Sequence, residues 1–368
     1  MLPTIAVRRT AHSGRPRSSP TATGMAPRSS IRGTIEIKKT IKYFQSMGLL
    51  YNRNMKISII IPAYNAEKYI ERCLKSILTA FEAARGVSGE ILVIDNDSSD
   101  KTLMVARRCL KKHVTGVECH VLQCHTPGAA AARNWGAKKA QGDYIWFIDA
   151  DDYIAAEAIE MITNEVRRTN ADLVMMGAQR IGSSGANSYL SAVEAGQSDT
   201  VSRFIRYGMG PWQVIIRRKW WQEHNFSFRE EIIHEDMELM SALILYTGKY
   251  ASVNKPLYYY CENPESVLHK SKFNPHIFDI FPALEGLYVR FTEAGAEKKY
   301  RAELKWFFIW NLLIDSAKDF GSWPEGRPGF ARSRQMLSNY FPAWRKNRFL
   351  REKPLKLKLR IRLNYLKR

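Results

Sequence analysis

The chain of 368 residues is long enough for two domains or for one large α/β domain with additions, and its hydrophobic content of 45% supports a substantial core. Its five cysteines include no CxxC pair, which argues against a disulfide framework or a zinc site and indicates a reducing compartment. No apolar run reaches the roughly 18 residues that a membrane-spanning helix needs.

The net charge of +20 is concentrated at the two ends of the chain. Residues 1–54 carry +9 and residues 345–368 carry +10, which leaves the body of the chain near neutral at about +1. A neutral body argues against a nucleic-acid partner, because nucleic-acid binding depends on basic patches of the folded surface.

The first 54 residues are predicted to be a disordered basic segment, since residues 1–33 are rich in Ser, Pro, Thr, Gly and Arg and have little apolar periodicity. Such a composition is also typical of a transit peptide. A third interpretation is that translation starts at Met55, which runs directly into the first predicted strand.

From residue 56 the pattern alternates between strands and helices. Strands are predicted over 57–61, 90–94, 120–123 and 144–148, with helices over 65–84, 100–112 and 129–141 between them. Short connections between such elements imply right-handed βαβ units and a mostly parallel sheet.

Beyond residue 152 the alternation loosens. Helices are predicted over 156–169, 235–245, 278–294 and 300–317, and strands over 171–177, 211–217 and 255–260. Residues 182–200 contain many Gly, Ser, Ala and Asn residues and are predicted to form a mobile loop.

Three carboxylates follow the buried strand at 144–148, namely Asp149, Asp151 and Asp152. Acids this close repel one another unless a cation or a donor-rich ligand balances them. Mg²⁺ or Mn²⁺ held by two carboxylates, water and a phosphate-bearing substrate would do so. The alternative is a solvated acidic turn.

The ends of the first two strands are also polar and should lie at the same edge of the sheet. Tyr64 could support a flat base, and Asp95 and Asn96 offer groups that suit a base or a ribose, although the second segment also fits an ordinary capped turn. Arg133 and Asn134 present donors near the first turn of an alanine-rich helix, which could equally be a tightly packed helix.

Four motifs in this order resemble family-2 glycosyltransferases: IIIPAYNAE at 59–67, VIDNDSSD at 93–100, GAAAARNWG at 128–136 and FIDADD at 147–152. The resemblance covers roughly residues 55–265. It implies the GT-A fold (an α/β, Rossmann-like, mostly parallel sheet flanked by helices), a nucleotide-sugar donor, and hexosyl or N-acetylhexosaminyl transfer in bacterial envelope polysaccharide synthesis.

The resemblance also implies roles for individual residues on the donor side. Asp149 and Asp151 match the metal-binding acids, with Asp151 the direct ligand, and Asp152 is left to the turn and the following helix. Asn96 replaces a usual aspartate, which makes the identity of the base less certain. The nucleotide-sugar pocket would be lined by Pro62, Ala63, Tyr64, Asn65, Glu67, Asp95, Asn96, Arg133, Asn134, Asp149 and Ala150.

On the acceptor side the resemblance assigns Asp236 as the base that deprotonates the acceptor hydroxyl during an inverting, in-line attack. Glu235 and His234 would contact the acceptor, although an acid in the first turn of a helix and a lone histidine are both common without such a role. Trp212 offers an aromatic face for a sugar, or it is simply a buried tryptophan.

The last residues alternate basic and apolar side chains. If extended, this segment would have one apolar and one basic face, whereas a helix would have no clean face. Contact of residues 345–368 with an anionic membrane would suit a lipid-linked acceptor, and a solvated tail is the alternative.

The prediction is therefore a metal-dependent glycosyltransferase that acts on a glycan or lipid-linked acceptor. We expect a GT-A domain at 55–265, a helical C-terminal extension at 266–343 and a basic amphipathic tail at 344–368. The protein would work in the cytoplasm or on the inner face of the cell membrane. The alternatives are a nucleotidyltransferase, which usually needs a phosphate loop not found near Pro62, and a non-catalytic sugar- or nucleotide-binding protein.

Overall fold

The computed structural model describes residues 55–111, 114–182, 187–190, 196–263 and 272–367. Residues 1–54, which were predicted to be disordered, lie outside these ranges. Met55, which was interpreted as a possible start of translation, is the first described residue. The strands are β1 (Met55–Ala63), β2 (Val87–Asp95), β3 (Val117–Gln123), β4 (Tyr144–Phe147), β5 (Tyr153–Ile154), β6 (Leu173–Ile181), β7 (Asn187–Leu190), β8 (Val214–Arg217) and β9 (Tyr250–Cys261).

Helices flank this sheet and continue to the C-terminus. They are α1 (Ile70–Ala83), α2 (Thr102–Cys109), α3 (Ala129–Lys139), α4 (Ala158–Thr169), α5 (Thr200–Tyr207), α6 (Arg218–Glu223), α7 (Glu235–Met240), α8 (Ile280–Glu293), α9 (Arg301–Trp310), α10 (Ser316–Ser322), α11 (Pro328–Tyr340), α12 (Arg348–Arg351) and α13 (Leu355–Leu366). A π-helical turn, Asn311–Asp315, joins α9 to α10.

The strands form one sheet in the order β3-β2-β1-β4-β8-β6-β9-β5, with β7 beside β6. The first four strands are parallel, and the rest of the sheet is mixed, because β8 runs antiparallel to both β4 and β6. The predicted α/β class with flanking helices is confirmed. The long apolar run of β1 is explained by burial on both faces, as parallel sheets require.

The alanine run of α3 lets this helix lie very close to the sheet. A Cβ atom added at Gly136 would lie only 2.4 Å from Ile60 Cγ2, and Ala130, Ala131 and Ala132 are all buried. Small side chains are therefore required on this face of α3, and their packing fixes the helix that carries Arg133.

Several predicted boundaries differ from the structure. The first helix begins at Ile70 instead of residue 65, because Asn65 takes a left-handed φ of 47° and belongs to a loop. The helix predicted over 235–245 ends at Met240 and continues as a 3₁₀ turn, Leu243–Tyr246. Within the predicted loop 182–200, β7 pairs with β6, and much of the remainder lies outside the described residues.

The C-terminal helices pack on the sheet face that α3 covers. Phe147 of β4 and aromatic side chains such as Phe308 and Phe320 belong to one continuous apolar core. A second core, which contains Ile59 of β1, fills the opposite face under α1 and α4. The helical extension therefore shares its core with the sheet, and among the described residues no helix is long and apolar enough to cross a bilayer.

The basic C-terminal segment is helical over Leu355–Leu366, so the extended form with two faces is not the one adopted. Ile361 is 1% exposed, and Asn364 Nδ2 donates to the Leu313 carbonyl at 2.8 Å. These contacts fix α13 against the π-helical turn.

Candidate active site

The polar segments that follow β1, β2 and β4 leave the sheet at the same edge. Ala63 stands opposite Asp95 in the β1–β2 pair, and Ile60 stands opposite Phe147 in the β1–β4 pair. Because the three strands are parallel and in this register, the predicted donor-site segments lie side by side. Open α/β sheets bind their ligands at this edge.

The loop after β1 is tied to the loop after β2. Asn65 Oδ1 accepts from the Ser99 N–H at 2.9 Å, and Glu67 Oε2 accepts from the Lys101 N–H at 2.9 Å. The two residues predicted to line the pocket therefore hold its wall in place. Tyr64, in contrast, is 59% exposed, so its ring is available to a ligand.

Asp95 and Asn96 are both buried, but their side chains are used differently. Asp95 Oδ1 has no hydrogen-bond partner among the described residues. The Asn96 amide is engaged within the protein, because Nδ2 donates to the Cys124 and Thr126 carbonyls and Oδ1 accepts from the Gly128 N–H, each at 2.7 Å. Asn96 therefore fixes the loop that leads into α3, and Asp95 is left with an acceptor for a ligand.

The three acids after β4 lie in distinct environments. Asp149 is partly exposed and its Oδ1 accepts from Arg133, whereas Asp151 Oδ2 accepts from Asn263 Nδ2 at 2.9 Å. Burial and the neighbouring Asp149 raise the pKa of Asp151. The charged form of Asp151 is therefore less favourable than that of a solvated carboxylate.

Asp152 is fully buried and anchors β9. It accepts hydrogen bonds from the Tyr258 hydroxyl and from the Cys261 N–H, the latter at 2.7 Å. Burial and the two neighbouring acids raise the pKa of Asp152 to about 8. Its partners lie on strand β9, not in the following helix that the sequence suggested.

Arg133 joins the two halves of the site. Its Nη2 donates to Asp149 Oδ1 at 2.8 Å and its Nη1 donates to Glu235 Oε1 at 2.5 Å. The guanidinium is buried above the Phe228 ring, 5.6 Å from its centroid. Although burial opposes the charge, Asp149 and Glu235 raise the pKa of Arg133 above its usual value.

The residues predicted for the acceptor side begin helix α7. His234 precedes the helix with a left-handed φ of 75°, and burial lowers its pKa. Glu235 points to Arg133, while Asp236 lines a cleft. Burial, with a further contribution from Glu235, raises the pKa of Asp236 to about 7. A carboxylate with this pKa can take up a proton near neutral pH.

The cleft has a volume of about 670 Å³ and lies between α5, α7 and α9. Aromatic and basic side chains line it together with Asp236: Arg203, Arg206, Tyr207, Trp212, Trp306, Trp310 and Lys353. Trp212 stacks on Tyr258 at a centroid distance of 4.7 Å and is thereby fixed at the cleft wall. A wall of this kind suits a sugar ring, and the three cations suit an acidic group.

Asn134 lies beside Arg133 in the sequence, but its side chain is engaged within the protein. Its Nδ2 donates to the Phe228 carbonyl at 2.8 Å and to Glu230 Oε1 at 2.9 Å, and its Oδ1 accepts from the Phe228 N–H. These hydrogen bonds occupy the Asn134 side chain and hold residues 228–230 against the buried face of α3. Its predicted role in binding the donor therefore has no support in its contacts.

Among the described residues, one compact group of metal-ligating side chains lies elsewhere, at Glu90, Glu118 and His120. Glu90 accepts from the Ser58 hydroxyl at 2.5 Å, and Glu118 pairs with Lys56 at 3.0 Å. Two of its three members, Glu90 and Glu118, therefore already have partners within the protein.

The structure adds residues that the sequence did not single out. Arg72 Nη2 donates to the Asp151 carbonyl at 2.5 Å, and Asn263 binds the Asp151 carboxylate. Both come from segments distant in sequence, and an isolated Arg in a helix or Asn after a strand gives no local signal. Arg203 and Arg206 likewise line the cleft because α5 packs beside it, which the sequence alone does not show.

The geometry agrees with the comparison to protein families. Residues 58–229 match the model described as glycosyl transferase family 2. Over these residues, a little less than half of the chain, the sequence is that of a family 2 glycosyltransferase domain. The prediction of a glycosyltransferase from the four motifs is thereby confirmed.

Two similar proteins come from Bacillus subtilis and Staphylococcus aureus. The chain is 27% identical over 256 residues to the uncharacterized glycosyltransferase EpsJ of Bacillus subtilis, a match over 66% of this chain and 72% of EpsJ. It is 24% identical over 251 residues to the poly(ribitol-phosphate) beta-N-acetylglucosaminyltransferase TarS of Staphylococcus aureus. That match covers 68% of this chain and 43% of TarS.

A solved structure supports the fold. A crystallised fragment of S. aureus TarS in complex with UDP has a TM-score of 0.64 and 22% sequence identity, over 84% of this chain and 89% of the fragment. The same fragment has been solved with UDP-GlcNAc. The GT-A architecture expected for the family 2 glycosyltransferase domain is confirmed by this likeness.

Proposed function

We propose that the protein transfers a sugar from a UDP-sugar to a hydroxyl of a polysaccharide acceptor, with inversion at the anomeric carbon. The observation that carries this proposal is the buried Arg133, which binds Asp149 on the donor side and Glu235 beside the acceptor cleft. One guanidinium thus links the acidic segment after β4 to the first turn of α7, the turn that also carries Asp236.

The donor nucleotide would lie at the edge formed by β1, β2 and β4. The exposed ring of Tyr64 offers a stacking surface, and the unpaired Asp95 Oδ1 needs a donor such as the imide N–H of uracil. The UDP and UDP-GlcNAc complexes of the TarS fragment support this choice of donor. Because Asn96 is bound within the protein, its replacement of the usual aspartate does not argue against uracil.

A divalent cation fits the acidic pair. The pKa of Asp151 is raised by burial and by Asp149, so negative charge remains to be balanced there. Asp149 and Asp151 would hold Mn²⁺ or Mg²⁺, with Asp151 as the direct ligand, because both ions prefer oxygen ligands and phosphate. When bound, the ion supplies Lewis-acid stabilisation of the charge on the leaving diphosphate.

Asp236 is the proposed base. The acceptor hydroxyl oxygen forms a bond to the anomeric carbon while the bond from that carbon to the diphosphate oxygen breaks, and the electron pair leaves with the diphosphate. The hydroxyl proton passes to Asp236. Attack from the cleft side, opposite the diphosphate, gives inversion. Glu235 and Arg133 position the first turn of α7 and thereby the base.

The acceptor would lie in the cleft with a sugar ring against Trp212. The named activities of TarS support a polysaccharide of the bacterial envelope, and a lipid-linked glycan would bring the acceptor to the membrane. We propose that the protein works at the inner face of that membrane, where the excess of basic residues over 345–368 favours an anionic surface.

A screen of nucleotide sugars tests this function. Hydrolysis of UDP-sugars, GDP-sugars and CMP-sugars would be followed with Mn²⁺ and with chelator, at fixed ionic strength. We expect slow hydrolysis of at least one UDP-sugar that stops on chelation. Absence of binding and turnover for every nucleotide sugar would overturn the proposal.

A further inference from the structure

Helix α13 carries a row of exposed leucines, which we name the leucine stripe: Leu355, Leu359, Leu363 and Leu366. They are 70%, 48%, 63% and 59% exposed. Their spacing of four, four and three residues places them on one face of the helix. Among the described residues nine large apolar side chains are exposed, and four of them lie on this one short helix, so the stripe is a concentrated apolar surface.

The stripe is held in a fixed position. The opposite face of α13 buries Ile361, and Asn364 Nδ2 donates to the Leu313 carbonyl at 2.8 Å. Tyr365 packs on Trp344 with ring centroids 5.0 Å apart. The leucines are therefore directed away from the protein by packing on the other side of the helix, and they belong to a rigid surface.

Basic side chains border the stripe on both sides. At the helical repeat, Lys356 and Arg360 fall along one edge of it and Lys358 and Arg362 along the other. No acidic residue occurs over 353–367. An apolar strip with basic margins is the arrangement of helices that lie in the plane of a membrane interface. A protein partner would instead have to supply an apolar groove with acids on both margins.

We propose that the leucine stripe docks on the surface of a membrane that contains anionic lipids. The leucines would enter the boundary between headgroups and acyl chains while the basic rows contact the phosphates. Each basic residue near an anionic surface strengthens binding roughly fivefold. This assigns a particular face to the membrane contact suggested by the charge of residues 345–368.

The docked orientation places the acceptor cleft near the lipid surface. Asn364 is bonded to Leu313 in the π-helical turn, and Asn311 and Asp315 of the same turn line the cleft. Lys353, just before α13, lines it as well. For this part, which rests on the proposed function, the acceptor is a lipid-linked glycan that enters the cleft while its lipid stays in the bilayer.

Vesicle co-sedimentation of the full chain tests the docking. The vesicles would be phosphatidylcholine alone and phosphatidylcholine mixed with phosphatidylglycerol. We expect the wild type to pellet with the anionic vesicles and to be released by salt. Leu359→Gln with Leu363→Gln should lower the partition coefficient at least tenfold, and Lys356→Gln with Arg360→Gln roughly 25-fold. Leu363, Lys356 and Arg360 are exposed and Leu359 is half-exposed. These variants should therefore fold.

The matched control is Val289→Gln with Lys298→Gln, which removes an exposed apolar side chain and an exposed charge elsewhere and should bind like the wild type. Vesicle binding by the leucine variant at the wild-type level would overturn the proposal. The proposal would also be overturned if the wild type bound no vesicles and the leucine variant differed from it only in self-association, measured by sedimentation velocity. Hydrolysis of the donor in solution should be the same for all variants and the wild type. If none of these proteins hydrolysed a donor, that result would count against the proposed sugar transfer and not against the docking.

Discussion

Asp149 and Glu235 bind opposite nitrogens of the same guanidinium, that of Arg133, at 2.8 and 2.5 Å. The first residue follows strand β4 and the second begins helix α7, so this bridge sets the position of the proposed acceptor side relative to the proposed donor side. Because the arginine is buried, the bridge is rigid, and its removal should affect both stability and transfer.

Replacement of Arg133 by Met should destabilise the fold by about 3 kcal/mol, since two acids lose their buried counter-charge. The free energy of unfolding in urea gives the measurement. Adding Glu235→Gln to the Arg133→Met variant should recover part of the loss because one uncompensated charge is removed. Equal free energies of unfolding for Arg133→Met and the wild type would show that the bridge does not stabilise the fold.

Asp236→Asn should reduce transfer by roughly 10³-fold while the affinity for UDP stays unchanged, because an amide cannot accept the acceptor proton. The matched control is Asp315→Asn, which changes another acid of the same cleft and should retain most of the activity. Loss of UDP binding in Asp236→Asn would place this residue in the donor site and remove it as the base.

The pH dependence of transfer follows from the same residue. The pKa of Asp236 is raised to about 7, so the carboxylate is protonated below that pH and cannot act as a base. The rate should therefore fall about tenfold for each pH unit below 6 and level off above 8. Initial rates between pH 5 and 9 at saturating donor would show this limb, and a rate that is flat down to pH 5 would contradict the assignment.

Asp95→Asn should weaken UDP binding roughly fivefold, or by about 1 kcal/mol, because a charge-assisted hydrogen bond to the base becomes a neutral one. Asp97→Asn is the matched control, since Asp97 is half-exposed and pairs with His125 at 2.7 Å. Calorimetric titration with UDP compares the two variants. Equal affinities would mean that the buried Asp95 Oδ1 does not meet the nucleotide.

The sequence correctly predicted that polar segments meet at one edge of the sheet, because its signals are local. An apolar strand followed at once by acids, as in 144–152, shows both the strand and the edge at which its acids lie. Asn96 and Asn134 illustrate the limit of such reasoning. Both were predicted to bind a ligand, yet the Asn96 amide is bound by backbone groups, and the Asn134 amide by backbone groups and Glu230, of segments that only the fold brings near.

The C-terminal segment shows a second limit. Strict alternation of Leu and Lys suggested two faces only for an extended chain, whereas the helix buries Ile361 and Asn364 on one side and leaves four leucines on the other. Packing against the π-helical turn decided between the two conformations. The basic and aromatic lining of the cleft, which comes from α5, α9 and Lys353, was equally a matter of tertiary contacts.

The measurement that tests the central claim most directly is calorimetric titration of UDP into the full chain with Mn²⁺, with chelator, and for the Asp151→Asn variant with Mn²⁺. The acidic pair as diphosphate-metal site predicts clear binding of UDP with Mn²⁺ and a loss of at least tenfold in affinity both on chelation and in Asp151→Asn. UDP binding that is the same under all three conditions, or absent in all of them, would contradict it.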